Sequence, residues 1–374
     1  MNLRFVWHDS LDDGDFPLAA YEDLLARLPQ ATPFNHPAWL RAAAMALAPG
    51  RELRVLVAFR AERMALCLPL VRCREKLLGL PMTVVRHLGH PLADRVALAV
   101  APGEDEALAA ALPRIGAEMP HALLQFDEVP AADDRLEVWG SHYFRHERRM
   151  SCRVPAHRID DADRDEPPPG DARYELRRAR RHCDALGAVT RRARPTADDI
   201  DDWCARLAAV DRASWKGEAG VGLFSAAYES WTRAALRNLA AVDRVRVVLL
   251  EHEGCCLSYR LGLLEAGRLY DYAAAYLPEH RALGSGRLLL DEWIRWGLDE
   301  GWQWVDAARV SRENSRHPLH ERASATIEHH RWRFFARRPD GIALALAYRV
   351  WLRVKPLLRR PRQRKRGEIA ADGN

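Results

Sequence analysis

The sequence lacks the marks of several large protein classes. Its seven cysteines are odd in number and hold no Cys-x-x-Cys spacing, which does not read as a disulfide framework. Small, mostly buried thiols in a reducing compartment are expected, with Cys255-Cys256 as a vicinal pair. No run reaches the ~18 uninterrupted apolar residues of a membrane span. Met1 to Ser10 carries Arg4, His8 and Asp9 and no apolar core, so no signal peptide is visible. A cytoplasmic, soluble protein is the expectation. The net charge of +5 is too small to argue for nucleic acid, and no specific nucleic-acid partner is expected. His317, His320, His329 and His330 lack a supporting cysteine or carboxylate pattern. They read as solvated loop histidines, and no metal is expected.

What is present is a well-packed chain. Hydrophobic residues make up 48% and tryptophans number twelve, which excludes wholesale disorder, and 374 residues leave room for two domains. Tyr21 to Leu28 and Ala38 to Leu47 read as helices, each bounded by proline. Strands follow at Leu53 to Arg60, Met64 to Arg72 and Thr83 to Leu88. A helix begins at Asp105, with a kink expected at Pro113. Ala122 to Phe126, Trp139 to His146 and Arg149 to Val154 read as extended. The acidic, proline-rich run Asp160 to Asp171 reads as a solvated linker. The expected domains are therefore 1–158, a linker at 159–171, 172–345, and a C-terminal helix and tail at 346–374.

The second half carries the sharper signal. Tyr174 to Leu186 is a basic helix, and Val189 to Arg192 is a short strand. Helices at Ala197 to Ala213 and Ala226 to Leu239 follow. Then come three antiparallel strands, Val245 to Glu251, Cys255 to Leu264 and Arg268 to Tyr276. The last strand feeds Pro278-Glu279-His280-Arg281-Ala282-Leu283-Gly284-Ser285-Gly286-Arg287, which opens a helix, and a strand at Gln303 to Ala307 follows. A glycine-rich turn at a helix start is a pyrophosphate cradle: unpaired N–H groups and the positive helix end face the anion. Gly284 and Gly286 let the backbone approach phosphate, and Arg281 or Arg287 adds charge-assisted hydrogen bonds. No Gly-Lys-Ser/Thr follows, so it is not a Walker loop, and Leu289 stands where a dinucleotide fingerprint needs glycine.

The Arg-x-x-Gly-x-Gly spacing resembles the acyl-CoA loop of the GNAT acetyltransferase superfamily. Phe34-Asn35-His36-Pro37-Ala38-Trp39-Leu40, the Arg177 to Arg181 helix, Ser214-Trp215-Lys216-Gly217 and Tyr270-x-Tyr272-x-x-x-Tyr276-x-Pro278 are similar to its CelD-type, Fem-like branch, associated with bacterial polysaccharide and envelope gene sets. The resemblance implies an α/β (α+β) fold of two tandem GNAT-like domains, each a mixed, mostly antiparallel sheet flanked by helices. Only the second has the loop. The implied activity is N-acyl transfer from acetyl-CoA or another acyl-CoA to an amine of an amino-sugar, polysaccharide or envelope precursor. A Fem-like transferase using aminoacyl-tRNA, or a non-catalytic acyl-CoA-binding scaffold, is the alternative.

The implied cofactor residues are Tyr276, Leu277, Arg281, Leu283, Gly284, Ser285, Gly286 and Arg287. N-acyl transfer needs a base for the ammonium and donors for the oxyanion. The resemblance puts backbone donors near Ala275-Tyr276-Leu277. Candidate carboxylates are Asp271, Glu251 and Asp306, with Asp306 favoured because active sites collect at strand ends of open sheets. Tyr272 and Tyr276 approach the loop and are candidate catalytic residues. Lys216, beside Trp215 and ahead of Gly217, Gly220 and Gly222, is a candidate on an acceptor-side lid. Arg309 and the Ser311 to His320 segment are expected at the cleft rim. No tyrosine lies between Tyr276 and Tyr348, so the tyrosine acid of many GNAT enzymes has no counterpart here. Ile342 to Leu358 is apolar-periodic and runs into basic residues to Arg366. That pattern suits a surface helix with a basic tail, or peripheral contact with anionic lipid at the inner face of a membrane and a lipid-linked sugar as acceptor.

Overall fold

The computed structural model describes residues 2–12, 14, 16–165, 170–310 and 317–371, except the side chains of residue 165 and of 356–371. Pro167-Pro168-Pro169 and the start of the expected rim, Ser311 to Arg316, lie outside the described residues. So do the side chains of the basic tail.

The first half runs β1 (Leu3–His8), α1 (Leu18–Arg27), α2 (Pro37–Met45), β2 (Glu52–Arg60), β3 (Arg63–Leu77), β4 (Leu80–His87), β5 (Ala99–Val100), α3 (Asp105–Glu118) and β6 (Leu123–Pro130). A 3-10 turn, Arg135–His142, precedes β7 (Arg145–Arg158) and the short α4 (Ala162–Asp165). The second half repeats the pattern: α5 (Gly170–Leu186), β8 (Val189–Ala193), α6 (Ile200–Ala213), α7 (Trp215–Ala219), α8 (Glu229–Ala240), β9 (Val245–His252), β10 (Cys255–Glu265) and β11 (Arg268–Tyr276). A 3-10 turn at Pro278–Leu283 enters α9 (Ser285–Glu300), followed by β12 (Trp304–Asp306), β13 (Ala325–Phe335) and α10 (Pro339–Ala371).

The strands form one continuous sheet in the order β1-β2-β3-β4-β6-β13-β7-β12-β11-β10-β9-β8, with β5 off this path beside β3. Two similar half-sheets meet in the middle, and each has exchanged its last strand. β13, from the second half, sits on β6, while β7, from the first half, sits on β12. β7 and β13 then pair with each other along eleven residues, Arg145–Ala156 against Ala325–Phe335. The cut at residue 158 thus follows chain order and not the sheet. The helix expected from 346 is one element that starts at Pro339 and crosses that boundary.

In each half one parallel pair makes a splay. β4 and β6 pair only at Val84–Arg86 with Leu123–Gln125, and β11 and β12 only at Arg268–Tyr270 with Trp304–Asp306. Beyond those residues the strands diverge and leave backbone facing an opening.

Several elements differ from expectation. Trp139 lies in the 3-10 turn, not in a strand, because its indole is buried and donates to the Leu108 carbonyl (2.8 Å). Pro113 sits inside an unbroken α3. β1 and β13 had not been expected. The acidic linker is docked at Asp163, which accepts hydrogen bonds from His157 (2.9 Å) and Arg322 (3.0 Å).

Aromatic packing joins the halves. Trp39 of α2 stands edge-on to Tyr272 of β11 and tilts against Trp231 of α8, and Phe34 meets Tyr270 and Tyr272. The Phe34 to Leu40 motif is thus a packing element between halves. Such pairs contribute about 0.5–1.5 kcal/mol each beyond the area they bury.

Candidate active site

The glycine turn forms as the sequence suggests. Pro278 starts a 3-10 turn, Gly284 takes the left-handed conformation (φ 67°), and α9 begins at Ser285. A side chain at Gly284 would be strained by that φ and would press on Ala179 of α5. The first turn of α9 has no acidic residue of its own to oppose an anion. Arg260 of β10 holds the Gly286 carbonyl with two N–H groups (2.8 and 3.1 Å) and is itself ion-paired with buried Asp271. His182 of α5 lies 3.0 Å from the Ala282 carbonyl. The helix start is therefore anchored from two sides, while Gly284 and Arg281 remain exposed. The residues present fit a pyrophosphate.

Other loop residues play different parts. Arg287 is committed to Glu321 (2.5 and 2.9 Å). Leu277 and Leu283 pack on the core of the second half, and Ser285 is buried. Tyr276 is half-buried at the end of β11.

β11 carries a bulge: Leu261 opposes Ala273 and Gly262 opposes Asp271, so Tyr272 has no partner on β10. After the bulge the Ala274 carbonyl faces the opening, where the Lys216 ammonium donates to it (2.9 Å). Strand alternation turns the Tyr276 N–H the same way. Lys216 thus reaches the mouth of the splay from α7, whose start is capped by the Ser214 hydroxyl. Burial lowers the Lys216 pKa against the pull of Asp211, Asp271 and Asp94.

Lys216 and Tyr272 line one cleft of about 710 Å³ between the halves. The first half and the exchanged β7 contribute Asp94, Glu128, Arg149 and Cys152, and the second contributes Arg309 and the α10 residues Tyr348, Trp351 and Lys355. Arg309 is on the rim as expected, 3.4 Å from Glu128. The Tyr272 hydroxyl donates to the Leu92 carbonyl (3.0 Å). Burial pushes its pKa well above the usual phenol value, and Asp94 adds to the rise. At neutral pH Tyr272 is a neutral hydrogen-bonding wall.

Asp94 is the carboxylate that sequence reasoning missed. It is half-buried, and that burial pushes its pKa up to about 7, against Arg309, Arg95 and Lys216, with Glu128 adding to the rise. A carboxylate poised near neutrality suits general-base work. Glu128 is different. Burial raises it, but His329 and Arg309 outweigh this and hold it below the usual carboxylate range. It has a left-handed backbone (φ 56°), uncommon for a non-glycine residue.

Asp306, the favoured carboxylate, does not reach the cleft. It is fully buried, and its oxygens take a bidentate pair from Arg95 (2.9 Å each), a bond from Arg268 (2.9 Å) and the Ala308 N–H (2.9 Å). It joins a first-half arginine to two second-half strands, so its role is structural. Asp271 is likewise committed to Arg260, with the Trp293 indole 3.3 Å away. Glu251 pairs with Arg191 and Arg206 at the sheet's far edge.

His329 is not a loop histidine. It is buried on β13, beside Glu128 and Cys152, and the three ligand atoms lie within 4.8 Å of one another. Arg95 donates to His329 Nε2 (3.0 Å), which puts the neutral ring's proton on Nδ1, the atom 3.6 Å from Glu128. A protonated Nδ1 offers no lone pair to a metal, and Arg309 already faces the Glu128 carboxylate. Burial pushes the Cys152 thiol up to about 12, so it is not a ready nucleophile.

Residues 170–317 match the family model described as Acetyltransferase (GNAT) domain. A search of curated proteins finds no match. Among solved structures, the fold is similar to FemX, with a TM-score of 0.61 and 12% identity over 91% of this chain and 98% of that one. It is also similar to a tandem GNAT protein from the clavulanic acid biosynthesis pathway, with a TM-score of 0.51 and 16% identity over 90% and 99% of the two chains. The C-terminal domain of a putative lysylphosphatidylglycerol synthetase from Agrobacterium fabrum follows at 0.52 and 9%, over 90% and 95%. The second half is a GNAT domain, and the whole chain has the two-domain, Fem-like GNAT fold.

Proposed function

We propose that this GNAT-type acyltransferase moves an acyl group from acyl-CoA to a primary amine on a negatively charged amino-sugar or envelope precursor. One observation carries the reading: the anchored Gly284 turn, which opens an α9 start with no acidic residue of its own, lies at the end of the bulged strand that leads to the splay beside Lys216 and Asp94.

Acyl-CoA supplies an activated thioester carbonyl as co-substrate. Its pyrophosphate is assigned to the N–H groups of the first α9 turn and to Arg281. The Tyr276 N–H and the Lys216 ammonium are the donors for the developing oxyanion. Asp94 takes the proton that the acceptor ammonium must lose before it attacks. Glu128, held ionised by His329 and Arg309, orients the amine. The six cationic residues lining the cleft, Arg149, Lys216, Arg309, Arg331, Arg333 and Lys355, outnumber the acids Asp94, Glu128 and Glu147. That excess favours an acceptor bearing a phosphate or carboxylate.

Calorimetry with acetyl-CoA and longer acyl-CoAs tests the donor. Unchanged affinity in Gly284→Asp would remove the loop from the account. A second reading, transfer from aminoacyl-tRNA, draws on the exposed Arg177 and Arg181 of α5 beside the loop and on the likeness to FemX. Steeply salt-sensitive tRNA binding without acyl-CoA binding would favour it.

A further inference from the structure

α10 is apolar on two sides. Its inner side packs Leu344 and Ala345 beside Val84, Leu123 and Phe335, then presents Tyr348, Trp351, Leu352 and Lys355 to the cleft. These positions recur at helical spacing and account for one face. The outer side carries Leu346, Val350 and Val354 at intervals of four, and they are 51%, 60% and 37% exposed. Exposed Arg349 and Arg353 flank this row. The fold makes no use of an aliphatic row facing water. From Arg349 to Arg366 the sequence has nine basic residues and no acidic one.

We infer that the outer face of α10 docks on an anionic membrane surface and brings the cleft to it. The charge decides among occupants. A second copy would bring nine more like charges against these nine. RNA would use the arginines and leave Leu346, Val350 and Val354 in water. An anionic bilayer answers both features: lipid phosphates meet the basic side chains, and the interfacial acyl region takes the aliphatic row. No described helix is long and apolar enough to cross a membrane, so α10 lies in the interface. Because its inner face walls the cleft, docking sets that wall beside the surface, where a lipid-linked acceptor is presented. The inference stands apart from acyl transfer, since it is read without turnover.

The test is co-sedimentation of the full chain with vesicles of phosphatidylcholine alone, or of equal parts phosphatidylcholine and phosphatidylglycerol. Binding is expected only to the anionic vesicles, weaker at high salt. The Leu346→Asp/Val350→Asp double variant, changed only at exposed positions, is expected to bind at least about tenfold more weakly. No binding to anionic vesicles, or binding unchanged in the variant, overturns the inference. So does a dimer that the variant splits without any vesicle binding, or RNA binding in place of vesicle binding.

Discussion

The two halves repeat one plan and differ at one helix start. Each has a strand that splays from a parallel neighbour after three paired residues, and each has a helix leading into that neighbour. In the second half the helix α9 follows an exposed glycine turn and has no acid in its first turn. In the first half α3 opens with Glu104, Asp105 and Glu106, and Arg60 occupies Glu104 (2.9 Å) and Glu106 (2.8 Å). Carboxylates at a helix N-terminus stabilise the helix and repel phosphate. One helix start thus carries its own carboxylates, and the other has none. The first half instead presents a carboxylate after its splay, where Asp94 faces the cleft. Under the proposed function the duplicated fold divides the work: one half would hold the donor, and the other would supply the base.

The largest effect is expected at the joint between the halves. Asp306→Asn leaves buried Arg95 and half-buried Arg268 without their charge partner, and a loss of about 3–5 kcal/mol is expected in chemical denaturation. A loss within experimental error would make the halves independent. Next is Asp94→Asn. In wild type kcat/KM is expected to rise with pH through about 7, as Asp94 ionises. The variant is expected to lose roughly 10²-fold to 10³-fold in kcat and to lose that pH dependence. Its stability is expected to move the other way. The folded pKa is raised, so ionised Asp94 destabilises the fold progressively from about pH 4 to 7 and fully above. The thermal midpoint of Asp94→Asn is therefore expected above wild type at pH 8, with the gain fading toward pH 4. Gly284→Asp combines backbone strain with like charge and is expected to cost about a hundredfold in acyl-CoA affinity by calorimetry. Asp105→Asn in the first half is expected to change it little. Lys216→Met is expected to lower kcat about tenfold, with acyl-CoA affinity nearly kept, because the ammonium acts on charge that develops during reaction.

The glycine turn was legible because its signal is local. Pro278, Gly284 and Gly286 punctuate the chain where the turn forms, and the flanking periodicities announce strand and helix. The cleft was not, because it is assembled from segments far apart. Asp94 follows β4, Glu128 is on β6, Lys216 on α7 and Arg309 after β12. No spacing in one stretch brings them together. β13 was hidden for a related reason. Its central residues bury His329 in a polar network with Arg95 and Glu128, so the run Glu328-His329-His330-Arg331 reads as solvated. Asp306 was misjudged because a strand-end carboxylate looks alike in a cleft and in a joint. Only Arg95, 211 residues away, settles which it is.

Hydrogen exchange with and without acyl-CoA tests the division of labour most directly. Protection is expected at the backbone amides from Tyr276 to Leu288, and none at the start of α3 from Glu104 to Leu108. Protection at the α3 start, or no protection of the Gly284 turn at saturating acyl-CoA, would contradict it.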